Sequence, residues 1–380
     1  MEHTKFRSIL VSIVFLALIA FPIINENLKF VNDIANNENR KLADRPSLTI
    51  KDIEKFPMKY ESFYNDNFTI RSILVKYYAL NNIKIFKKSP IPESVIIGVD
   101  GWMFLAGREY ESYLGKNNLK PSEMKAISEE LEYRKEYLAK RGCKFYFMIA
   151  PAKTSIYPEK VSTNQREFNS WGEQLVKYLD KNCEVKPINV YDVLRKNKSV
   201  ELLYYKLDNH WNDLGGFFAT NEVLSRMKQE DNSIFLNNIN DYTIKKENRN
   251  IGNIVNMFPN IEDFKDFYVK PYPKNGYKSI EVAKRGYPVP SNFNTQVHKY
   301  EDAREIFGSK KKKLMIVSDS FGGYMFPFMA ETFSRTIKIF DKWEYKLNEK
   351  IVDQEKPDIM LLICLETNLR SIIRHRSSPH

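Results

Sequence analysis

Residues 312–328 read KKLMIVSDSFGGYMFPF, an apolar run that ends on Ser-Asp-Ser, passes two glycines and continues at helical spacing. A strand followed at once by a helix leaves a serine at the turn with its Oγ exposed, and the first helical N–H groups are unpaired and aimed outward. That setting suits a nucleophile with an oxyanion site beside it. Ser320 is the candidate, because Ser318 still belongs to the strand, and the backbone N–H groups of Ser320, Phe321, Gly322 and Gly323 are the oxyanion candidates. The same residues also make a good helix cap with no chemistry attached. On this stretch alone both readings stand.

Working outward, short apolar segments alternate with amphipathic ones. A helix is predicted from Ser122 to about Lys140, closed by Gly142, then a strand KFYFMIA at 144–150. A helix from about Arg166 to Lys181 leads to a strand at 185–190, and a further helix follows Asp213. The last quarter gives a strand from Lys313 to Val317, a helix near Tyr324 to Phe333, a strand from Arg335 to Phe340, a helix around Trp343 and a strand from Asp358 to Leu365. This order predicts an α/β fold, a parallel sheet sandwiched by helices, with reactive groups at the carboxyl ends of the strands. Ahead of it, SVIIGVDGWMFL at 94–105 reads as a hairpin turned at Asp100-Gly101. Residues 231–308 break the pattern and read as an insertion carrying a small antiparallel sheet.

A nucleophilic serine needs a base, and the chain has five histidines. His3 precedes an apolar run, and His375 and His380 lie in the basic tail, which leaves His210 and His298. His210 sits in YYKLDNHWNDLGG at 204–216, two residues after Asp208. An acid at that spacing can hold one ring nitrogen and leave the other to take the serine proton. His298 lacks so close a partner, Asp302 being the nearest acid. Asp208 and His210 could instead be metal ligands, although no third ligand shows the required spacing, or a polar cap on the helix that follows.

The bulk composition narrows the class. Lys plus Arg number 59 against 48 acidic residues, a formal charge of +11, but the basic residues are dispersed and no nucleic-acid signature emerges. The three cysteines, Cys143, Cys183 and Cys364, have no CxxC spacing; Cys143 and Cys183 read as buried thiols or, in an oxidising compartment, as a pair. Residues 8–24, SILVSIVFLALIAFPII, carry no charge and follow Lys5 and Arg7. An uncleaved anchor or a signal peptide fits, and the missing small-x-small site favours the anchor. The cations at its start place residues 1–7 in the cytoplasm and everything after residue 25 outside. Residues 25–89 read as a stalk with one or two flanking helices, and 371–380 as a basic tail.

Taken in order, ENRKLADRPSL (38–48), FYNDNFTIRSILV (63–75), IGVDGWMFL (97–105), MIAPAKTSIYPEK (148–160), LDNHWNDLGG (207–216) and VSDSFGG (317–323) resemble the alginate O-acetylation proteins of the AlgJ/AlgX type. The resemblance implies an SGNH-hydrolase-like domain over residues 90–370 with rearranged motif order, the Asp and His preceding the serine. Asp208, His210 and Ser320 fall on the family's triad, whereas Ser318 stands in place of the usual glycine of the GDS signature. It also implies acetyl transfer to exopolysaccharide hydroxyls outside the membrane, with acetyl groups exported by a multispanning membrane O-acyltransferase. No cofactor or metal is called for. Lys153 becomes a candidate contact to a donor or acidic sugar, Tyr157 and Trp211 candidates for the cleft wall, and Asn368 a further donor. The residues themselves leave an acetyl-ester hydrolase and a non-catalytic glycan binder open, since transferase and esterase differ only in which nucleophile the cleft admits.

Overall fold

The computed structural model describes residues 2–31, 41–161, 168–249, 252–258, 264–290, 299–341 and 343–378. The chain groups into two compact units: residues 1–92 with 253–264, and residues 93–252 with 265–380.

In the first unit a helix spans Glu2–Leu28, and its window Lys5–Pro22 is long and apolar enough to cross a membrane, with none of it buried. Two helices follow, Phe56–Asn67 and Arg71–Lys84. The extended segment after residue 41 is tied to the first of them: Ala43 N–H donates to Asp66 (2.9 Å), and Asn67 Nδ2 donates back to the Ala43 carbonyl (2.9 Å).

The second unit opens with a hairpin, β1 (Val95–Ile97) and β2 (Met103–Leu105). Asp100 (φ 55°) and Gly101 (φ 75°) take the positive angles that a tight reversal needs, and Trp102 N–H closes it on the Val99 carbonyl at 3.1 Å. Next come β3 (Lys144–Ala150), β4 (Pro187–Ile188), the antiparallel ribbon β5 (Tyr242–Arg249) and β6 (Asp266–Pro273), and the short β7 (Ile280–Glu281). The chain then forms β8 (Glu301–Glu305), β9 (Lys313–Ser318), β10 (Arg335–Phe340) and β11 (Ile359–Leu365).

Seven strands form the main sheet in the order β4-β3-β11-β9-β10-β8-β7. The first five are mutually parallel. β8 runs antiparallel to β10, and the edge strand β7 pairs antiparallel with β8, so the sheet is mixed rather than wholly parallel. Both strands come from residues 231–308; β8 alternates in burial and β7 is exposed, unlike the continuous apolar runs of β9 and β11. Successive residues of β9 and β11 point to opposite faces yet are buried almost throughout, so both faces of the sheet are covered. Helix Pro121–Ala139 packs on β3 and on helix Trp171–Asn182, while helix Phe321–Met329 lies along β9, β10 and β11 and against helix Asp213–Lys228. After β3 the chain turns toward β4 and after β9 toward β10, the change of direction at which open α/β sheets place their sites, at the carboxyl ends of the strands.

Two local expectations differ. No helix forms at Trp343: Trp343 (φ 70°) and Tyr345 (φ 52°) take left-handed angles that a helix cannot accommodate, and Lys346 N–H closes the loop on Asp341 at 2.8 Å. The helix comes later, at Glu349–Glu355, capped by Asn348. Nor is the segment from residue 371 a free tail. Arg376 donates to the Ala126 carbonyl (3.0 Å), and the N–H groups of Ser377 and Ser378 reach the Glu130 carboxylate at 2.9 and 3.0 Å. All three cysteines are buried free thiols.

Leu362 is fully buried at the middle of β11, between β3 and β9. Leu362→Ala is expected to lower the unfolding free energy by about 2–5 kcal/mol, measured by urea denaturation, because the two flanking strands cannot close the cavity.

Candidate active site

The turn that carries Ser320 is fixed from three sides. β9 ends at Ser318, Asp319 and Ser320 make the turn, and the helix starts at Phe321. The buried Asp319 carboxylate accepts from Phe321 N–H (2.9 Å), the Tyr345 hydroxyl (2.7 Å) and Leu365 N–H (2.9 Å), which ties the turn to the end of β11. Burial pushes this carboxyl up from its ordinary range, against the pull of those three donors. Glycine is required at 322, where a Cβ would lie 2.1 Å from Ser318 Oγ, whereas at 323 a Cβ would meet only Lys338 Nζ at 3.7 Å. Ser320 makes no side-chain cap bond to its helix, so the capping reading does not account for it.

Its partner comes from residues 204–212. Tyr204 and Trp211 form a bridge, and Tyr205 N–H donates to the His210 carbonyl at 3.2 Å, making a tight loop with Asp208 and His210 at its tip. Asn212 caps the following helix by accepting from Gly215 N–H at 3.0 Å, so capping falls to it rather than to Asp208 or His210. His210 Nδ1 lies 2.7 Å from Asp208 Oδ1, and Nε2 lies 2.6 Å from Ser320 Oγ. With the carboxylate accepting from Nδ1–H, Nε2 carries the lone pair that faces the serine hydroxyl. The ring is 8% exposed, packed against Phe321 (centroids 5.0 Å apart) and Tyr324 (5.8 Å). The other oxygen of Asp208 accepts from Arg249 Nη2 at 2.9 Å. Such a constellation can deprotonate a serine hydroxyl, hold the resulting imidazolium and open a covalent acyl pathway.

The remaining expected residues divide. Trp211 is buried, donates Nε1–H to the Phe321 carbonyl at 3.1 Å and packs edge-on to that ring, so it braces the two segments against each other and lines no cleft. Lys153 is not at the surface: its ammonium is fully buried and donates to the carbonyls of Met103, Tyr205 (3.1 Å), Lys206 (3.1 Å) and Asp208 (2.7 Å). Burial lowers it to about 8, with Glu109 and Asp208 acting in opposition, and Glu109, likewise buried, is raised to about 7. Tyr157 is buried too, its hydroxyl accepting from Leu203 N–H at 3.0 Å and its ring on Trp102. Both corrections share a cause. The chain leaving β3 folds straight into the helix Lys153–Ile156 and runs beneath the His210 loop instead of over the surface.

Three of the four oxyanion candidates are engaged elsewhere. Phe321 N–H is held by the Asp319 carboxylate, Gly322 N–H by the Asp319 carbonyl (3.2 Å) and Gly323 N–H by the Ser320 carbonyl (3.1 Å). The N–H of Ser320 itself makes no hydrogen bond within the described residues. Asn368, just past β11, donates to the Tyr345 hydroxyl at 3.3 Å and accepts from Arg108 at 3.3 Å. His298 lies outside the described residues. Among the described residues no group of three or more His, Cys, Asp and Glu could hold a metal ion.

Sequence reasoning passed over Arg249, Asp266, Asp319 and Tyr345. Asp319 carried a signal, an acid between two serines at a strand end. Arg249 and Asp266 face each other across the β5/β6 register at the ribbon's tip, a pairing that no local pattern announces.

A family model described as ALGX, SGNH hydrolase-like domain, acetyltransferase AlgX, matches residues 95–331. A protein of Pseudomonas syringae pv. tomato described as probable alginate O-acetylase AlgJ is 22% identical over 179 residues, 46% of this chain. That match spans 44% of the relative's own length. Bacillus cereus PatB1, solved with a sulfonyl adduct, superposes with a TM-score of 0.56 at 17% identity, over 74% of this chain and 98% of that one. A DHHW family protein from Eubacterium siraeum superposes with a TM-score of 0.52 at 14% identity, over 75% of this chain and all of its own.

Lys153→Met would leave four buried carbonyls without their donor and is expected to cost about 3–5 kcal/mol in urea denaturation, with loss of activity following from displacement of the Asp208 loop. A surface lysine would change stability by no more than about 0.5 kcal/mol.

Proposed function

The chain belongs to the AlgX-type SGNH hydrolase-like domain family, and from that premise we propose that it is a serine O-acetyltransferase that moves acetyl groups onto polysaccharide hydroxyls through an acetyl-serine. The observation that carries the reading is the pair of His210 contacts, 2.6 Å to Ser320 Oγ and 2.7 Å to Asp208 Oδ1, on a ring shielded from water by Phe321 and Tyr324.

Ser320 Oγ attacks the donor's acetyl carbonyl as its proton passes to His210 Nε2, and Asp208 stabilises the imidazolium. The oxyanion is held by the N–H of Ser320. The intermediate collapses, the leaving group takes the proton from His210, and acetyl-Ser320 remains. A sugar hydroxyl then gives its proton to His210 and attacks the acyl carbon. Collapse breaks the Ser320 Oγ–acyl bond, returns the proton to Ser320 and leaves the ester on the glycan.

The N-terminal helix supports a membrane-tethered reading. Its uncharged run, residues 8–24, follows directly on Lys5 and Arg7, the order that puts cations on the cytoplasmic side and the rest of the chain outside. Acetyl-CoA is confined to the cytoplasm, so a multispanning membrane O-acyltransferase is the partner proposed to deliver acetyl groups. Polysaccharide as acceptor follows from family membership and from the 22% identical relative described as a probable alginate O-acetylase.

Incubation with a small acetyl ester, with and without oligosaccharide, is expected to give acetyl-Ser320 by peptide mass spectrometry and acetylated sugar when glycan is present. Ser320→Ala should abolish both products, and Asp208→Asn should slow acylation by roughly 10⁴-fold. Acetate release that glycan does not alter, with no acetylated sugar, would make the protein an esterase; acetylation surviving in Ser320→Ala would remove the serine mechanism.

A further inference from the structure

We propose that Arg249, supplied by the β5/β6 ribbon, is a positioning residue for Ser320 chemistry: it fixes the Asp208 carboxylate that orients His210 and offsets part of that carboxylate's charge. The proposal rests on the serine mechanism above.

Arg249 is the last residue of β5, is 8% exposed and donates from Nη2 to Asp208 Oδ2 at 2.9 Å. Its guanidinium lies 3.9 Å from the centroid of the Tyr205 ring and 5.0 Å from that of Tyr268. Two rings therefore pack against the guanidinium, contacts that a flexible ammonium would not reproduce. Its register partner Asp266, fully buried, accepts from Leu207 N–H at 2.8 Å, so the tip of the ribbon grips the His210 loop at two successive residues. Gly252, just beyond, packs so closely that a Cβ would lie 2.5 Å from the Leu207 carbonyl oxygen and 3.3 Å from Asp208 Cβ.

The carboxylate is thereby shared. Oδ1 serves His210, and Oδ2 is turned away from it by Arg249, which selects one rotamer of Asp208 and with it the orientation of the imidazole. Charge acts in the same place. The carboxylate attracts positive charge on the ring, and the cation on its far oxygen offsets part of that attraction. Among the described residues, the other charged or titratable groups around the pair are Tyr205 on the same loop, Asp266 and Tyr268 on β6, Lys153 below the loop, Asp213 at the next helix, and Asp319 and Tyr324 beside Ser320. Arg249 alone among them is hydrogen-bonded to Asp208 Oδ2 within the described residues.

The test uses the full chain in detergent and follows Ser320 acylation by p-nitrophenyl acetate across roughly pH 5 to 9, the range in which a histidine base titrates. Arg249→Met is expected to slow acylation at neutral pH by about tenfold or more, part of the roughly 10²–10⁴-fold that general-base assistance contributes. It is also expected to move the acidic limb of the profile upward by about half a unit or more. Arg249→Lys, which keeps the cation and loses the planar fork, should be slower than the parent protein yet keep the limb in place. A purely structural role would lower activity at every pH without moving the limb. Unchanged rate or an unmoved limb in Arg249→Met overturns the proposal. If that variant does not fold, Arg249→Lys decides: parental rate, or a limb displaced upward, overturns it equally. Failure of the parent protein to form acetyl-Ser320 would instead remove the function proposed above, an outcome distinct from either variant result.

Discussion

One imidazole joins two stretches of chain 110 residues apart, and the positions of both stretches can be traced to what is needed for Nε2 of His210 to meet Oγ of Ser320 at 2.6 Å. The serine side is anchored to the sheet: β9 is its central strand, and Asp319 ties the turn to the end of β11. The histidine side has no strand of the main sheet beneath it. It is a loop, and loops hold a catalytic geometry only when their backbone groups are satisfied from outside.

That is the service performed by the buried charges. Lys153 brings an ammonium under four carbonyls, three of them on the loop, and Asp266 meets the loop's Leu207 N–H. Placing ions in an apolar interior is unfavourable, and the depressed Lys153 and raised Glu109 record the strain of it. Similar groups recur around the carboxyl ends of the strands. Glu366, directly after β11 and fully buried, accepts from Ser155, Ser170 and Tyr191, joining the segment after β3 to two helix starts. Gly172 leaves the space for it, since a Cβ there would lie 2.0 Å from the Tyr191 hydroxyl. Apolar packing builds the sheet, whereas its working rim is held by polar groups whose directionality defines position.

This division explains what could be read from residues alone. The parallel strands were legible because a run such as IMLLICL is apolar on both faces and can only be buried. Asp208, His210 and Ser320 could be singled out as candidates because few histidines were available and each motif is local. Lys153 was misassigned because a lysine after a strand ordinarily meets solvent, and only the three-dimensional path of residues 153–156 puts it beneath the loop. Arg249 was illegible for a related reason: it lies 41 residues from Asp208 and is brought there by a ribbon whose sequence, YTIKKENR, reads as an ordinary polar strand. Around Trp343, tertiary pull prevailed over helical pattern, as the Tyr345 hydroxyl turns inward to Asp319.

The two sides of the site are fixed by separate sets of contacts and also touch each other directly. Besides the His210–Ser320 bond, Trp211 donates to the Phe321 carbonyl, and the rings of His210 and Trp211 each lie against Phe321 at 5.0 Å. Phe321 follows the serine directly, and Trp211 follows the histidine. The residues after His210 and after Ser320 therefore each brace the opposite segment, which couples the distance between His210 and Ser320 to a packed aromatic contact rather than to the hydrogen bond itself. A proton has to leave and re-enter that hydrogen bond in the proposed cycle. Because the aromatic contact does not depend on where the proton resides, it can keep the segments in register while the bond is made and broken.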